Sequence, residues 1–410
     1  MTVELIPLVS PLHPGFDLRT VHRELFAALS AAHEVHTSPP GSSPDLRLVF
    51  VASGGTERRF VERFDSIPRP VYLLTDGKRN SLAASLEISA WVRAQGERCE
   101  ILHGEPGEIA RRVNDLAAAE RAMAVLADSR FGVVGEPSDW LIASSIDRGE
   151  AKRRFGIATE DVALEELYRF VDEVGDGEAM RTAKEIRRRS TADAGVGDES
   201  LVQATRIYLG MKRLVRDREL TAITVRCFDL VTRYRNTGCL APALLNDEGV
   251  MAGCEGDQQA LFTVVAANAL TGEIPFLANP AALDIEHNAI ELAHCMIATS
   301  IVDRFSLRTH FETGLGVAIE GEYSTEHATI VRFGGERLSY GWVSHAERED
   351  APYSEERCRT QVRLRLHEDA RYFLERAVAN HHIVVAGRWA DRTRAFMERA
   401  GIADVGSASR

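Results

Sequence analysis

The sequence has no long uninterrupted run of apolar residues. No segment approaches the roughly 20 apolar residues that a helix needs to cross a bilayer. The first 15 residues contain three prolines, which argues against a signal peptide. The six cysteines form no CxxC pair and no spacing typical of a zinc site. We therefore expect a reduced, cytoplasmic protein with no membrane partner.

Positive charge is also scarce, with 49 Lys and Arg against 61 Asp and Glu and a formal net charge of -12. Nucleic-acid binding needs a concentrated basic face, and no basic run stands clear of acidic neighbours, so we expect no nucleic-acid partner. GxSxG and HExxH motifs are missing, which leaves serine-hydrolase and zinc-protease chemistry without support. The turn SGGT (53–56) resembles a phosphate-binding loop, but a plain strand-to-helix turn explains it more simply.

The length exceeds what one hydrophobic core usually organises, so we expect several domains. Three apolar runs alternate with amphipathic segments in the first part of the chain: 47–53, 70–77 and 130–137. This alternation predicts an α/β fold with a doubly wound parallel sheet. We assign an N-terminal α/β domain to residues 1–145 and a second α/β domain to residues 146–272. Strand-like runs divided by polar turns predict a β-rich, antiparallel and barrel-like domain over residues 273–410.

Acidic residues follow two apolar runs of the predicted second domain. Asp229 comes just after AITVRCF, Glu255 comes just after VMAGC, and Asp257 lies two residues further along. Parallel sheets bind ligands beyond the carboxyl ends of their strands, so neighbouring strands would bring Asp229 and Glu255 into one crevice. Any single acid there could instead be a helix N-cap or a solvated loop residue. Two acids in equivalent positions favour a functional role.

Histidine supplies further candidate ligands. His294 lies in the apolar run AIELAHCMIA, where a buried structural histidine is an equally good interpretation. His381 and His382 are adjacent in a predicted strand, so at most one of them faces a given site. A set of carboxylates with one imidazole suits Mn²⁺ or Mg²⁺ better than zinc.

Three segments between residues 222 and 295 carry a family resemblance: ITVRCFDL, CLAPALLNDEGVMAGCEGDQQALFTVVAANALTGEIPFLANP and IELAHC. GEPSDWLIAS (135–144) and the closing NHHIVVAG with its following helix agree with them. Together they resemble the L-fucose/L-arabinose isomerase superfamily, and its shorter members most closely.

This resemblance implies a metal site. Glu255 of the EGD element corresponds to a metal ligand and acid/base residue, and His381 corresponds to the histidine that completes the site. His294 matches a further metal ligand of the arabinose isomerases. The implied cofactor is Mn²⁺ or another divalent cation such as Mg²⁺ or Co²⁺. Asn279 stands where the fucose isomerases have Asp, and Ala278 where the arabinose isomerases have Glu. An amide can offer an oxygen to a metal but cannot act as a general base.

The predicted function is aldose–ketose isomerisation of a small sugar through a cis-enediol, in a homo-oligomer that the resemblance implies to be a trimer or hexamer. Glu255 is the predicted base, and the second proton-transfer role is open between Asp229 and Asp257. Because Asn279 replaces an acid, two alternatives stay open. One is a metal-dependent lyase, epimerase or decarboxylase acting on a modified sugar, and the other is a non-catalytic sugar-binding protein.

Overall fold

A computed structural model describes residues 1–13, 15, 17–37 and 43–406. The chain divides into two compact units, Met1–Arg121 and Ala122–Arg410. The division into three domains stays a prediction. Among the described residues, no helix combines the length and the apolar character that a membrane span requires.

The first unit contains a five-stranded parallel sheet. Its strands are β1 (Thr2–Leu8), β2 (Glu34–His36), β3 (Leu46–Val51), β4 (Val71–Leu74) and β5 (Cys99–Leu102). Its helices are α1 (Leu18–Val21), α2 (Arg23–Ser30), α3 (Glu57–Arg63), α4 (Ser81–Ala94) and α5 (Pro106–Ala127), which continues into the second unit. The strand order is β2-β1-β3-β4-β5. All four residues of β4 are buried, as in a parallel strand covered on both faces.

The second unit begins with a four-stranded parallel sheet. Strands of this region are β6 (Arg130–Val134), β7 (Ala158–Val162), β8 (Ala192–Ala194), β9 (Ala222–Val225) and β10 (Met251–Cys254). Its helices are α6 (Arg148–Phe155), α7 (Leu164–Asp172), α8 (Asp176–Arg189), α9 (Asp198–Asp217), α10 (Phe228–Tyr234), α11 (Leu240–Asp247) and α12 (Gln258–Thr271). The sheet order is β10-β9-β6-β7. Val225 pairs with Cys254, so the carboxyl ends of β9 and β10 lie side by side.

A closed antiparallel barrel follows. The remaining strands are β11 (Phe276–Asp284), β12 (Ala289–His294), β13 (Phe305–Arg308), β14 (Ala318–Gly321), β15 (His327–Gly334), β16 (Tyr340–Glu349), β17 (Thr360–Leu366), β18 (His382–Ala386) and β19 (Ala403–Asp404). The remaining helices are α13 (Tyr372–Glu375) and α14 (Ala390–Ala400). Six strands close the barrel in the order β15-β18-β11-β12-β17-β16, with β16 pairing again to β15. Strands β13, β14 and β8 form a separate three-stranded sheet.

Helix α12 connects the parallel sheet to the barrel. It is apolar on nearly every side and contacts β9 and β10 on the sheet as well as β15 and β18 on the barrel. The sequence signals for this helix are confirmed, because the Asp257 side chain caps it by accepting from Ala260 N at 2.7 Å and Gly272 ends it with a φ of 78°. The α/β fold class with a barrel-like C-terminal region is also confirmed. The N-terminal end of α12 therefore lies where the sheet and the barrel meet.

Candidate metal centre and its pocket

Glu255 occupies a tight turn between β10 and α12. Its φ is 60°, a left-handed conformation that is uncommon for a residue with a side chain and clusters at functional sites. Gly256 follows with a φ of 72°, and a Cβ on it would lie 2.8 Å from Glu136 O. The turn is fixed because Ser138 N donates to Glu255 O at 2.8 Å. The Glu255 carboxylate accepts a hydrogen bond from Trp140 Nε1 at 2.6 Å.

His381, just before β18, is held by a buried acidic partner. Its Nδ1 lies 2.8 Å from Asp257 Oδ2, and its Nε2 lies 3.7 Å from Glu255 Oε1. Asp257 is itself paired with Arg332, whose Nη2 lies 3.3 Å from both carboxylate oxygens. The side chains of His381, Asp257 and Arg332 are all fully buried. Donation from Nδ1 to Asp257 fixes the ring so that Nε2 of His381 faces Glu255.

Barrel strands β11 and β12 contribute two more donor side chains, those of Asn279 and His294. Glu255, His294 and His381 each offer a ligand atom within 4.8 Å of the others. Asn279 of β11 lines the same pocket as Glu255 and His294. Three buried atoms, Asn279 Oδ1, His294 Nδ1 and His381 Nε2, have no hydrogen-bond partner among the described residues. Buried polar atoms are rarely left in this state unless a ligand or ion completes them.

At neutral pH the local electrostatics leave Glu255 ionised and His294 neutral, both ready to bind a cation, whereas His381 holds a proton that a bound cation would displace. Burial would raise the pKa of Glu255, but His381, His294 and the Trp140 hydrogen bond lower it to about 2. Burial lowers the pKa of His294 to about 3, so its imidazole is neutral at pH 7. Burial also acts to lower the pKa of His381, and the Asp257 and Glu255 carboxylates outweigh it, raising the pKa to about 9. One carboxylate, two imidazoles and an amide oxygen therefore fit a divalent cation.

Three of the four donor residues, Glu255, Asn279 and His294, line a pocket of about 420 Å³. Its walls are aromatic and thiol-rich, with contributions from Trp140, Phe228, Phe311, Cys227, Cys239, Cys254, Cys295 and Cys358. Two of these thiols, Cys227 and Cys254, have their sulfurs 3.1 Å apart. Hydrogen bonds with neighbouring thiols, and burial after them, raise the pKa of Cys254 and Cys239, so both stay protonated at neutral pH.

The two other acids proposed from the sequence lie in different surroundings. Asp229, in the first turn of α10, accepts from Arg226 Nε at 2.8 Å, and the described residues that line the pocket do not include it. Asp257 contacts His381 but is buried behind it, where it caps α12. Their catalytic roles stay predictions.

Sequence reasoning did not single out the pocket residues Trp140, His310 and Glu312. Trp140 lies in the quoted segment GEPSDWLIAS, so it could have been found there. His310 and Glu312 lie between β13 and β14 in a segment without a periodic pattern, and both line the pocket. Nothing local in the sequence indicates that this loop approaches Glu255.

Comparison with known proteins finds relatives that are named as sugar isomerases. Residues 142–272 match the family model of the L-arabinose isomerase central domain. The chain is 25% identical over 272 residues to a sulfoquinovose isomerase of Clostridium sp. (strain MSTE9), covering 63% of this chain and 61% of the relative. It is 29% identical over 184 residues to an L-arabinose isomerase of Nocardioides sp. (strain ATCC BAA-499 / JS614), covering 43% and 36%. A sulfoquinovose isomerase of Priestia aryabhattai is 22% identical over 228 residues, covering 53% and 49%.

These alignments span between 36% and 61% of the relatives' own lengths. The family-model match contains Glu255 and Asp257 and spans α6 to α12. The resemblance of this chain to the L-fucose/L-arabinose isomerase superfamily is therefore confirmed.

Proposed function

We propose that this chain is a divalent-metal-dependent aldose–ketose isomerase acting on a small sugar. The observation that carries the proposal is the convergence of Glu255, His294 and His381, where His294 Nδ1 and His381 Nε2 are buried with no hydrogen-bond partner among the described residues. The relatives named as sugar isomerases support the reaction class. The pocket beside these residues has the size of a small-molecule site.

In isomerisation through a cis-enediol, one set of residues would bind the cation and Glu255 would transfer the proton. His294, His381, Glu255 and the Asn279 oxygen would hold the cation, with Mn²⁺ as the leading choice. A bound divalent cation would polarise the substrate carbonyl and acidify the adjacent C–H. Glu255, ionised at neutral pH, takes that proton and returns it to the neighbouring carbon. The Trp140 hydrogen bond fixes the orientation of its carboxylate.

The side chains that line the pocket favour a neutral sugar as substrate over a sulfonated or phosphorylated one. Neither lysine nor arginine occurs among the described residues that line the pocket. Anionic groups on substrates are usually bound by such cations, Arg above all. The rings of Trp140, Phe228 and Phe311 instead offer apolar faces to the C–H groups of a sugar.

The proposed homo-oligomer, a trimer or hexamer, is supported by apolar exposure near the pocket. Ile142 is 95% exposed and Trp140 is 53% exposed. Exposed apolar surface of this kind often marks a protein interface when it is contiguous. Light scattering of the purified protein, coupled to gel filtration, would give the number of subunits.

The test of the proposed function is an add-back assay on EDTA-stripped protein. Mn²⁺, Mg²⁺ or Co²⁺ is supplied with aldopentoses, 6-deoxyhexoses, sulfonated sugars and sugar phosphates, and ketose is detected by NMR. We expect metal-dependent ketose from a neutral sugar. Glu255→Gln should abolish it, whereas Glu336→Gln, which alters an exposed acid outside the pocket, should not. Metal binding without ketose from any sugar would favour the lyase, epimerase or decarboxylase alternative.

A further inference from the structure

Isomerisation through an enediol needs a second group that moves protons between the two substrate oxygens. The carboxylates proposed for this role from the sequence have other partners, since Asp229 pairs with Arg226 and Asp257 pairs with Arg332 and His381. Asn279 carries no titratable group. Apart from the thiols and the donor set, the titratable side chains among the described lining residues are His310 and Glu312.

His310 is the better placed of these two. Its side chain is nearly buried, with the residue 6% exposed, whereas Glu312 is exposed to solvent. The His310 ring packs edge-on against Phe228 at 6.0 Å, and Phe228 packs edge-on against Trp140 at 5.0 Å. Trp140 in turn donates to Glu255. A continuous aromatic wall thus connects the imidazole to the proposed base.

The loop that carries His310 is fixed from both ends. His310 N donates to Leu315 O at 3.0 Å, and Gly314 N donates to His310 O at 2.9 Å. Thr237, which also lines the pocket, donates from Oγ1 to Val317 O at 2.9 Å. The imidazole is therefore held by backbone and packing contacts rather than left on a mobile loop.

The hydrogen bonds of His310 accommodate the tautomer that carries the ring proton on Nε2. Nδ1 lies 3.3 Å from Thr313 Oγ1, and that hydroxyl accepts a hydrogen bond from Leu315 N at 3.2 Å. The hydroxyl can then donate its proton to Nδ1, and in this tautomer the neutral ring carries its own proton on Nε2. Within the described part of the chain, Nε2 has no protein partner, and the residue lines the pocket.

We propose that His310 is the second catalytic residue, which moves protons between the two substrate oxygens while Glu255 moves the proton between the two carbons. This role rests on the proposed isomerase function. Glu255 removes the proton from C2, and the C–H electron pair forms the C1–C2 double bond. The carbonyl oxygen on C1 takes the Nε2 proton, and Nε2 takes the hydroxyl proton from the oxygen on C2. Glu255 then returns its proton to C1, which leaves a ketose and both side chains in their starting states.

The electrostatics of the ring agree with this role. Burial lowers the pKa of His310, and Arg359 adds to the decrease, whereas Glu312 and Glu255 oppose it. The ring is therefore neutral at pH 7. A neutral imidazole that donates to a carbonyl oxygen is a known arrangement in isomerases.

The test compares His310→Gln with wild-type protein in D₂O, using the sugar that the add-back assay identifies. Gln can donate a hydrogen bond but cannot exchange protons between two oxygens. We expect the isomerisation kcat to fall by about 100-fold or more. Deuterium incorporation at C2 of recovered aldose should fall much less, because Glu255 is intact, and Mn²⁺ affinity by calorimetry should not change. Thr313→Val removes the Nδ1 partner and should give a weaker change in the same direction.

His345→Gln is the matched control, since it makes the same chemical change on β16, outside the pocket. A His310→Gln variant with wild-type kcat would overturn the proposal, and so would a parallel loss of C2 exchange and isomerisation. If His310→Gln does not fold, Thr313→Val with an unchanged ratio of exchange to isomerisation would overturn it as well. If the wild-type protein formed no ketose, both the isomerase function and this role would be overturned. If the wild type formed ketose and His310→Gln were equally active, only the role of His310 would be overturned.

Discussion

Asp257 holds His381 and caps helix α12 with the same carboxylate. Oδ2 lies 2.8 Å from His381 Nδ1, and Oδ1 accepts from Ala260 N at 2.7 Å. Burial would raise the pKa of Asp257, but Arg332 and His381 lower it to about 2, so it is ionised at neutral pH. Carboxylates of this kind fix the tautomer and orientation of a metal-binding histidine. The position of α12 and the orientation of a proposed metal ligand are therefore set by one side chain.

Asp257→Asn separates these two functions. Asn caps helices about as well as Asp, so the start of α12 should persist. The charge that orients His381 is lost, and we expect Mn²⁺ affinity to fall by about 10- to 100-fold in titration calorimetry. Asp198→Asn, a change in the exposed first turn of α9, is the control. Unchanged Mn²⁺ affinity in Asp257→Asn would contradict the orienting role.

Arg332→Met should affect stability more than it affects the helix cap. The guanidinium is fully buried, and its Nε and Nη1 have no partner among the described residues, so Asp257 supplies the neutralising charge. Removing one member of a buried ion pair costs about 3–5 kcal/mol, because the other charge stays buried. The double variant Asp257→Asn/Arg332→Met should be less destabilised than the sum of the single variants. Urea unfolding of all four proteins measures this coupling, and additive effects would show that the pair is not coupled.

Local signals in the sequence predicted α12, its cap and its end, because capping depends on residues a few positions apart. Glu255, His294 and His381 were candidates from their types and positions in the sequence. The family resemblance grouped them with Asn279 in one metal site, since the contact between His381 and Glu255 joins residues far apart in the sequence. The equivalence of Asp229 and Glu255 in sequence did not extend to their surroundings, because Arg226, three residues from Asp229, pairs with it. Strand β11 was not identified as a strand, because it contains Pro280, where the pairing register shifts.

Gly256→Ala should disturb the proposed metal centre. The φ of 72° disfavours any side chain, at a cost of about 1–3 kcal/mol. A Cβ there would also lie 2.8 Å from Glu136 O and 2.8 Å from Pro137 Cα, which are backbone atoms that cannot rotate away. We expect lower thermal stability together with weaker Mn²⁺ binding, because Glu255 is the preceding residue.

Gly272→Ala provides the comparison for that variant. Gly272 has a similar φ of 78°, but a Cβ there would meet no atom within 4 Å. Its backbone cost should be about 1 kcal/mol, with Mn²⁺ affinity unchanged. Equal Mn²⁺ affinity in the two alanine variants would argue that the turn at Gly256 does not position Glu255.

His33 should make the first unit less stable in mild acid. The residue is 5% exposed, and neither ring nitrogen has a hydrogen-bond partner among the described residues. Burial lowers its pKa below the usual value near 6.5. The unfolded chain therefore takes up a proton before the folded chain does, and stability present above the unfolded pKa is lost as the pH falls towards the folded pKa. His33→Leu removes the titrating group and both partnerless nitrogens, so the stability of the first unit should depend less on pH in this variant.

Hydrogen exchange of the β1 and β2 amides at about pH 7.5 and about pH 5.5, corrected for intrinsic exchange rates, measures the effect locally. An equal loss of protection in wild type and His33→Leu would assign the acid sensitivity to other groups.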